Sequence, residues 1–218
     1  MRQVTQSYRT GELTLAEVPA PPRAPAGGLL VDTSVSLISA GTERTIVDLA
    51  RKNLLEKARE RPDLVRKVVD KARREGVIAA LEAVRSKLDS PIPLGYSLAG
   101  RVADVGRHAQ GFARGDRVAC AGAGYANHAE VNAVPKNLAV HVPDAVTDED
   151  AAFVTVGAIA LHGVRLTRPQ LGDVVVVIGL GLIGQIAVQL LSAHGCDVIG
   201  VDVERGKIDR AIARGAVA

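Results

Sequence analysis

Val174-Val175-Val176-Val177-Ile178-Gly179-Leu180-Gly181-Leu182-Ile183-Gly184 is the stretch that decides the fold of this 218-residue chain. Its first five residues are apolar, mostly β-branched and without alternation, so they read as a buried strand of a parallel sheet covered on both faces. The strand runs directly into a complete GxGxxG spacing. Gly179 permits a tight turn, Gly181 lets the backbone approach a pyrophosphate, and Gly184 lets the next helix pack close to the strand. The helix predicted over Ile183–Ala193 points its N-terminal amides and the positive end of its dipole at phosphates, so Leu182 and Ile183 join the glycines as binding positions. A second strand, Asp197–Val201, ends in Asp202, 18 residues after Gly184. An acid there accepts hydrogen bonds from adenosine ribose hydroxyls, and Val203 follows it. Glycine turns recur in many folds, so the spacing alone is weak. Strand, helix and acid agree here, which favours dinucleotide binding over a structural glycine turn.

Upstream the pattern is different. Residues 1–43 read as β structure, with alternation at Leu13–Val18, a Pro-rich turn at Pro19–Pro25 and an apolar run at Leu29–Ile38. Leu98–Val105, Arg117–Ala121 and Ala129–Val134 are further short strands between Gly and Pro, which together suggest a partly open barrel. Between these β segments, residues 44–92 carry an insertion with apolar residues at helical spacing, such as Leu64, Val65 and Val68. Arg44–Ser90 holds 13 basic against 8 acidic residues, but the charges are mixed. That favours a solvated helical cap over a docking surface for an acidic partner or nucleic acid. A helix is predicted over Asp148–Arg165, with Asp148, Glu149 and Asp150 in its first turn. The domain reading is 1–150 for the barrel and 151–218 for the nucleotide fold.

Composition narrows the function classes. Aromatic residues are 2% of the chain, too few for base-stacking platforms, and the net charge of +3 does not by itself imply a nucleic-acid partner. The two cysteines, Cys120 and Cys196, are too few for a zinc ribbon, and at 76 residues apart with no CxxC partner a disulfide is an unfavoured reading. Met1–Leu13 is polar and lacks a signal-peptide core. The uncharged stretch Val174–Leu191 suits a strand and helix better than a membrane span, given its glycines, Gln185 and Gln189. The expectation is a cytoplasmic protein with a small-molecule substrate, no nucleic-acid partner and no membrane partner.

These residues carry a family likeness. Gly28–Glu43, Pro93–Val105, Gly111–Val118, Gly124–Pro135, Asp144–His162 and Gly172–Gly215 make the chain resemble the medium-chain dehydrogenase/reductase superfamily over nearly its whole length. The resemblance implies an α/β protein with a GroES-like catalytic barrel followed by a Rossmann domain, with hydride transfer from NAD(H) in the cleft between them. The insertion is similar to that of a bidomain subgroup linked to bacterial polysaccharide pathways, in which a further sugar-dehydrogenase-like module follows. Zinc-dependent members keep a Cys where this chain has Ala40 in Ala40-Gly41-Thr42-Glu43, and a His where it has Tyr96 in Gly95-Tyr96-Ser97. The third ligand would fall near Thr155, so no metal is expected. Thr42 matches the family's relay hydroxyl. Thr42 and Tyr96 are the expected donors to a developing alkoxide. His162 reads as core-packed and not catalytic. Glu43, Cys120 and His128 could assemble an unrelated site, but their spacing gives no sign of one.

The chain ends at Gly215-Ala216-Val217-Ala218, after two strands of the Rossmann unit, so it reads as an incomplete nucleotide fold. The leading expectation is an NAD(H)-dependent oxidoreductase acting on an alcohol or carbonyl, of a sugar or sugar nucleotide, or the front part of one. The alternative is a non-catalytic binding module with a vestigial nucleotide fold. Homo-oligomerisation of a full-length protein is left open.

Overall fold

A computed structural model describes residues 1–7, 10–44, 66, 70, 73–76, 78–79, 82 and 91–218. Most of the helical insertion read at 44–92 lies outside the described residues, and those described at 66, 70, 73–75, 78–79 and 82 are helical.

The barrel is built from β1 (Arg2–Gln6), β2 (Leu13–Glu17), β3 (Gly28–Ser36), β4 (Ile92–Pro93), β5 (Ser97–Val105), β6 (Arg117–Ala121), β7 (Val131–Pro135) and β8 (Ala139–His141). Five of these strands form an antiparallel sheet in the order β7-β3-β5-β6-β8, and β2-β1-β4 form a second sheet. An isolated antiparallel bridge between Gln3 and Ala129 joins them into the partly open barrel that the short strands suggest. The register of β3 on β5 shifts at Leu30/Val31 and again at Thr33/Val35, and such bulges bend and twist a strand toward closure. Leu29, Val31, Leu98, Val118 and Val134 fill the interior with no exposed surface. Strand alternation places them there, and it compensates for the shortage of aromatic side chains.

The single helix expected over Asp148–Arg165 is two helices, α1 (Asp148–Ala151) and α2 (Val154–Thr167). Thr147 caps α1, its hydroxyl oxygen accepting the Asp150 N–H at 3.1 Å, and the three acids occupy the first turn as expected. A buried serine accounts for the break. Ser97 Oγ donates to the Ala152 carbonyl at 2.6 Å and accepts the Thr155 N–H at 3.3 Å, so a side chain from β5 sits in the helical ladder. Arg117 Nη2 lies 2.6 Å from Asp148 Oδ1, and this hydrogen bond holds the carboxyl below its usual range.

Helix α2 is a strut between two cores. Its Val154 packs on Ala99, Ala119, Val142, Ala151 and Ala152 at the barrel side. Its Val164 packs on the cluster that contains Leu180, Val188, Leu191, Val198 and Ala211.

That second cluster belongs to β9 (Val174–Ile178), α3 (Leu182–Ala193), β10 (Asp197–Val201) and α4 (Arg205–Ile212). Strands β9 and β10 are parallel, from Val174 opposite Asp197 to Ile178 opposite Val201. Ala216 also bridges Val198 in parallel, and Val217 N–H donates to the Val198 carbonyl at 2.8 Å. The two expected strands are therefore extended by one isolated parallel bridge.

Strand β9 corrects the reading of a strand covered on both faces. Val175 and Val177 pack inward, whereas Val174, Val176 and Ile178 are 64%, 54% and 83% exposed. Right-handed crossovers put α3 and α4 on the same side of the sheet, and Val188, Leu191 and Ala211 cover only that side. The unbroken apolar run reflects a sheet with two apolar faces. Among the described residues, one of them is packed.

Candidate functional site

The Gly-rich turn carries the geometry that its spacing predicts. Gly179 has φ +90°, a conformation that side chains resist, and its N–H donates to the Val201 carbonyl at 2.8 Å. A Cβ on Gly184 would lie 2.0 Å from the Gly179 carbonyl oxygen, so only glycine lets α3 begin this close to the strand. Gly181 is different: the space around its Cβ position is open. It is the N-cap of α3 and has no side-chain cap. The first amides of a helix lack intrahelical partners, so those of Leu182, Ile183 and Gly184 are left to bond solvent or a ligand. Leu182 and Ile183 are each 38% exposed there, while Leu180 is buried beneath the turn.

Asp202 lies at the tip of β10, as expected, but its first partners are backbone groups. Oδ2 accepts the Leu180 N–H at 2.7 Å and Oδ1 accepts the Glu204 N–H at 2.9 Å. The Glu204 and Leu180 hydrogen bonds hold its carboxyl below the usual range. A carboxylate has lone pairs beyond these two, so it can brace the turn and still accept from a ribose hydroxyl. Val203 beside it is fully exposed.

Two further residues belong to this site and were missed in the sequence. Gln185 Nε2 donates to the carbonyls of Leu180 at 3.2 Å and Lys207 at 2.8 Å, tying the turn to α4. Lys207 Nζ lies 2.6 Å from Glu204 Oε1 and 3.9 Å from Asp202 Oδ1, and the Glu204 bond raises its pKa. Their only sequence signal is position: one follows Gly184 directly, and the other lies on the first turn of the helix after Asp202. Arg205 is paired with Asp209 at 3.0 Å.

The barrel residues form a second region. Thr42 is exposed on a helical turn at 40–44, and its Oγ1 accepts from Ser39 Oγ at 3.5 Å. Tyr96 is half-buried, and Thr155 Oγ1 donates to its carbonyl at 3.2 Å, so Tyr96 and Thr155 do come together. His162 is exposed on α2, which corrects the core-packed reading: the barrel-facing and nucleotide-facing sides of α2 are occupied by other residues. The structure also joins Glu43 and His128, with Nε2 3.1 Å from Oε1. Cys120 is not with them. It lies in the barrel core with Leu29 and Val31, and burial pushes its thiol up to about 12, so it is neutral at ordinary pH.

A catalytic zinc does not fit this donor set. Ala40 has no ligating atom, and Tyr96 and Thr155 offer a neutral phenol and hydroxyl in place of imidazole and thiolate. Among the described residues no three His, Cys, Asp or Glu side chains cluster at metal-binding range. Metal analysis of purified, tag-free protein is expected to find well under one zinc per chain after dialysis against a weak chelator. A stoichiometric zinc that survives would overturn this.

Comparison with known proteins agrees with the geometry. The profile of the alcohol dehydrogenase GroES-like domain matches residues 69–144. D-guloside 3-dehydrogenase of Shigella flexneri is 35% identical over 127 residues, covering 56% of this chain and 35% of that protein. (R,R)-butanediol dehydrogenase of Bacillus subtilis is 26% identical over 155 residues, covering 59% of this chain and 44% of that protein. The chain thus spans less than half the length of these curated relatives. Among solved structures, galactitol-1-phosphate dehydrogenase from Escherichia coli superposes with a TM-score of 0.72 at 21% identity, over 99% of this chain and 60% of that one. Escherichia coli quinone oxidoreductase complexed with NADPH gives 0.72 at 20% identity, over 99% and 57%. Residues 69–144 thus match the alcohol dehydrogenase GroES-like domain, and the chain as a whole has the fold of these solved oxidoreductases.

Proposed function

We propose that the protein is an NAD(H)-dependent oxidoreductase, or the front part of one, that interconverts an alcohol and a carbonyl on a sugar or polyol in the cytoplasm. The observation that carries the reading is the open space over Gly181, framed by Gly179, Gly184 and Asp202. The nicotinamide, when bound, supplies or accepts the hydride. The chain's own residues do the rest. Amides of Leu182, Ile183 and Gly184 hold the pyrophosphate, Gln185 and Asp202 keep the turn rigid, and Asp202 receives the adenosine ribose. Thr42 and Tyr96 would donate hydrogen bonds to the substrate oxygen as charge develops on it. The substrate class is supported by relatives named for sorbitol, butanediol and D-guloside. Two unpaired cysteines suit a reducing compartment, and no helix among the described residues is long and apolar enough to cross a membrane.

NAD(H) is favoured over NADP(H) by charge. Asp202 stands where a 2′-phosphate would sit, and Arg205, the basic residue that could welcome that phosphate, is turned to Asp209. Titration with both reduced cofactors, followed by nicotinamide fluorescence, is expected to show tighter binding of NADH. Tighter NADPH binding would reverse the assignment, and binding of neither would sink the cofactor reading.

A further inference from the structure

We propose that His128 and Glu43 are positioning residues, a buried clamp that fixes the turn bearing Thr42 against the segment bearing Tyr96. The inference rests on the reading above, in which those two hydroxyls face the substrate. The turn and Tyr96 are separated by about fifty residues of sequence, and His128 lies a further 32 along the chain, yet its ring bonds Glu43 in the turn and its backbone bonds Leu94 just before Tyr96.

On one side the imidazole holds the turn. Its Nε2 meets Glu43 Oε1 at 3.1 Å and its Nδ1 meets Ser36 Oγ at 2.8 Å. Glu43 in turn reaches back to accept the Ser39 N–H at 3.0 Å, so the same oxygen caps the helical turn and receives the ring. On the other side His128 is fixed to the chain before Tyr96. Its N–H donates to the Leu94 carbonyl at 2.7 Å. Gly95, at φ +94°, leaves its Cβ position 2.9 Å from His128 Nδ1 and 2.6 Å from His128 N, so the residue beside Tyr96 is shaped to admit this histidine.

Both side chains are largely enclosed, 8% exposed for His128 and 12% for Glu43, so neither presents itself to a substrate. In the neutral ring the partners assign the hydrogen: a carboxylate oxygen that accepts from Ser39 accepts from the ring as well, which places the hydrogen on Nε2 and leaves Nδ1 to accept the Ser36 hydroxyl. Both nitrogens are occupied and the ring cannot turn without losing one bond. Thr42 is left exposed on a turn whose base is locked. The clamp links the segment that carries Thr42 to the one that carries Tyr96.

The test compares Glu43→Ala, Glu43→Gln and His128→Phe in the full chain by nuclear magnetic resonance, with NADH titration alongside. Glutamine keeps an accepting oxygen at the same reach, and phenylalanine keeps the ring but not its nitrogens. In the unsubstituted chain the His128 ring nitrogens are expected to report one fixed tautomer with hydrogen on Nε2. Glu43→Ala should abolish that signature and displace the amide signals of both Gly41–Thr42 and Tyr96–Ser97, and Glu43→Gln should restore most of it. His128→Phe should displace the same two sets together. NADH affinity should stay within about twofold throughout, because the nucleotide site lies on other elements. The clamp is overturned if Glu43→Ala moves residues 39–43 alone, or if the ring exchanges freely between tautomers in the unsubstituted chain. If His128→Phe does not fold, the alanine and glutamine variants carry the same comparison. Failure of NADH to bind at all would overturn the cofactor reading without touching the amide result.

Discussion

Gly184→Ala is expected to destabilise the nucleotide-binding unit by about 3 kcal/mol or more, whereas Gly181→Ala should leave its stability nearly unchanged. The two glycines lie three residues apart in one motif, and sequence gives them equal rank. Their surroundings do not. A methyl group at 184 would come within 2.0 Å of a backbone oxygen, that of Gly179, which cannot swing aside without opening the turn. A methyl at 181 meets nothing within 4 Å in the protein. It would stand in the space proposed for the pyrophosphate, so Gly181→Ala should weaken NADH binding on the order of tenfold or more. Thermal unfolding followed by circular dichroism, with NADH titration of each variant, separates the two effects. Equal loss of stability in both would remove the argument that the open space at Gly181 serves a ligand.

The second large effect is expected at Asp202. Replacement with alanine removes the acceptors of the Leu180 and Glu204 N–H groups at once, and with them the brace between the Gly-rich turn and the tip of β10. NADH affinity should fall on the order of tenfold or more through the turn as well as through the lost ribose contact. Asparagine can replace only one acceptor and turns an N–H group toward the other donor, so Asp202→Asn should recover little. The pH dependence has a definite sign. The folded pKa is depressed, so the stabilisation is complete above the unfolded value, roughly 3.9, and is lost as pH falls through the lower folded value. An acid titration of the turn's amide signals should show this transition in the unsubstituted chain and lose it in Asp202→Asn. Unchanged NADH affinity in Asp202→Ala would count against both roles.

These expectations differ in how far the sequence alone supports them. Gly179, Gly181 and Gly184 are legible because a turn is local: the torsion, the clearance and the helix start all lie within six residues. Asp202 is legible by its distance from the motif, but its grip on Leu180 is not, since that depends on which way a side chain turns at a strand end. The split of the expected helix into α1 and α2 depends on the Ser97 hydroxyl, 55 residues before the carbonyl it occupies. Glu43 and His128 lie 85 residues apart, brought together by the pairing of β3 with β7, and no spacing rule anticipates them. Strand β9 shows the converse limit. Its apolar run marks both faces as apolar, but whether a face is covered depends on the hand of the crossovers and the number of helices on each side.

The strut helix α2 has a mechanical consequence. Its barrel end is anchored by Val154 and its nucleotide end by Val164, so any relative rocking of the two cores must bend the turns between them. Those turns hold Gly157 and Gly163, the residue type that stiffens a helix least. Neither glycine has a neighbour within 4 Å of its Cβ position, so packing does not demand them. Alanine would fit at both and would favour the straight helix by roughly 0.5–1 kcal/mol at each position. The strut is therefore most compliant close to its two anchors and stiffer between them, like a rod flexed near each of the blocks that hold it.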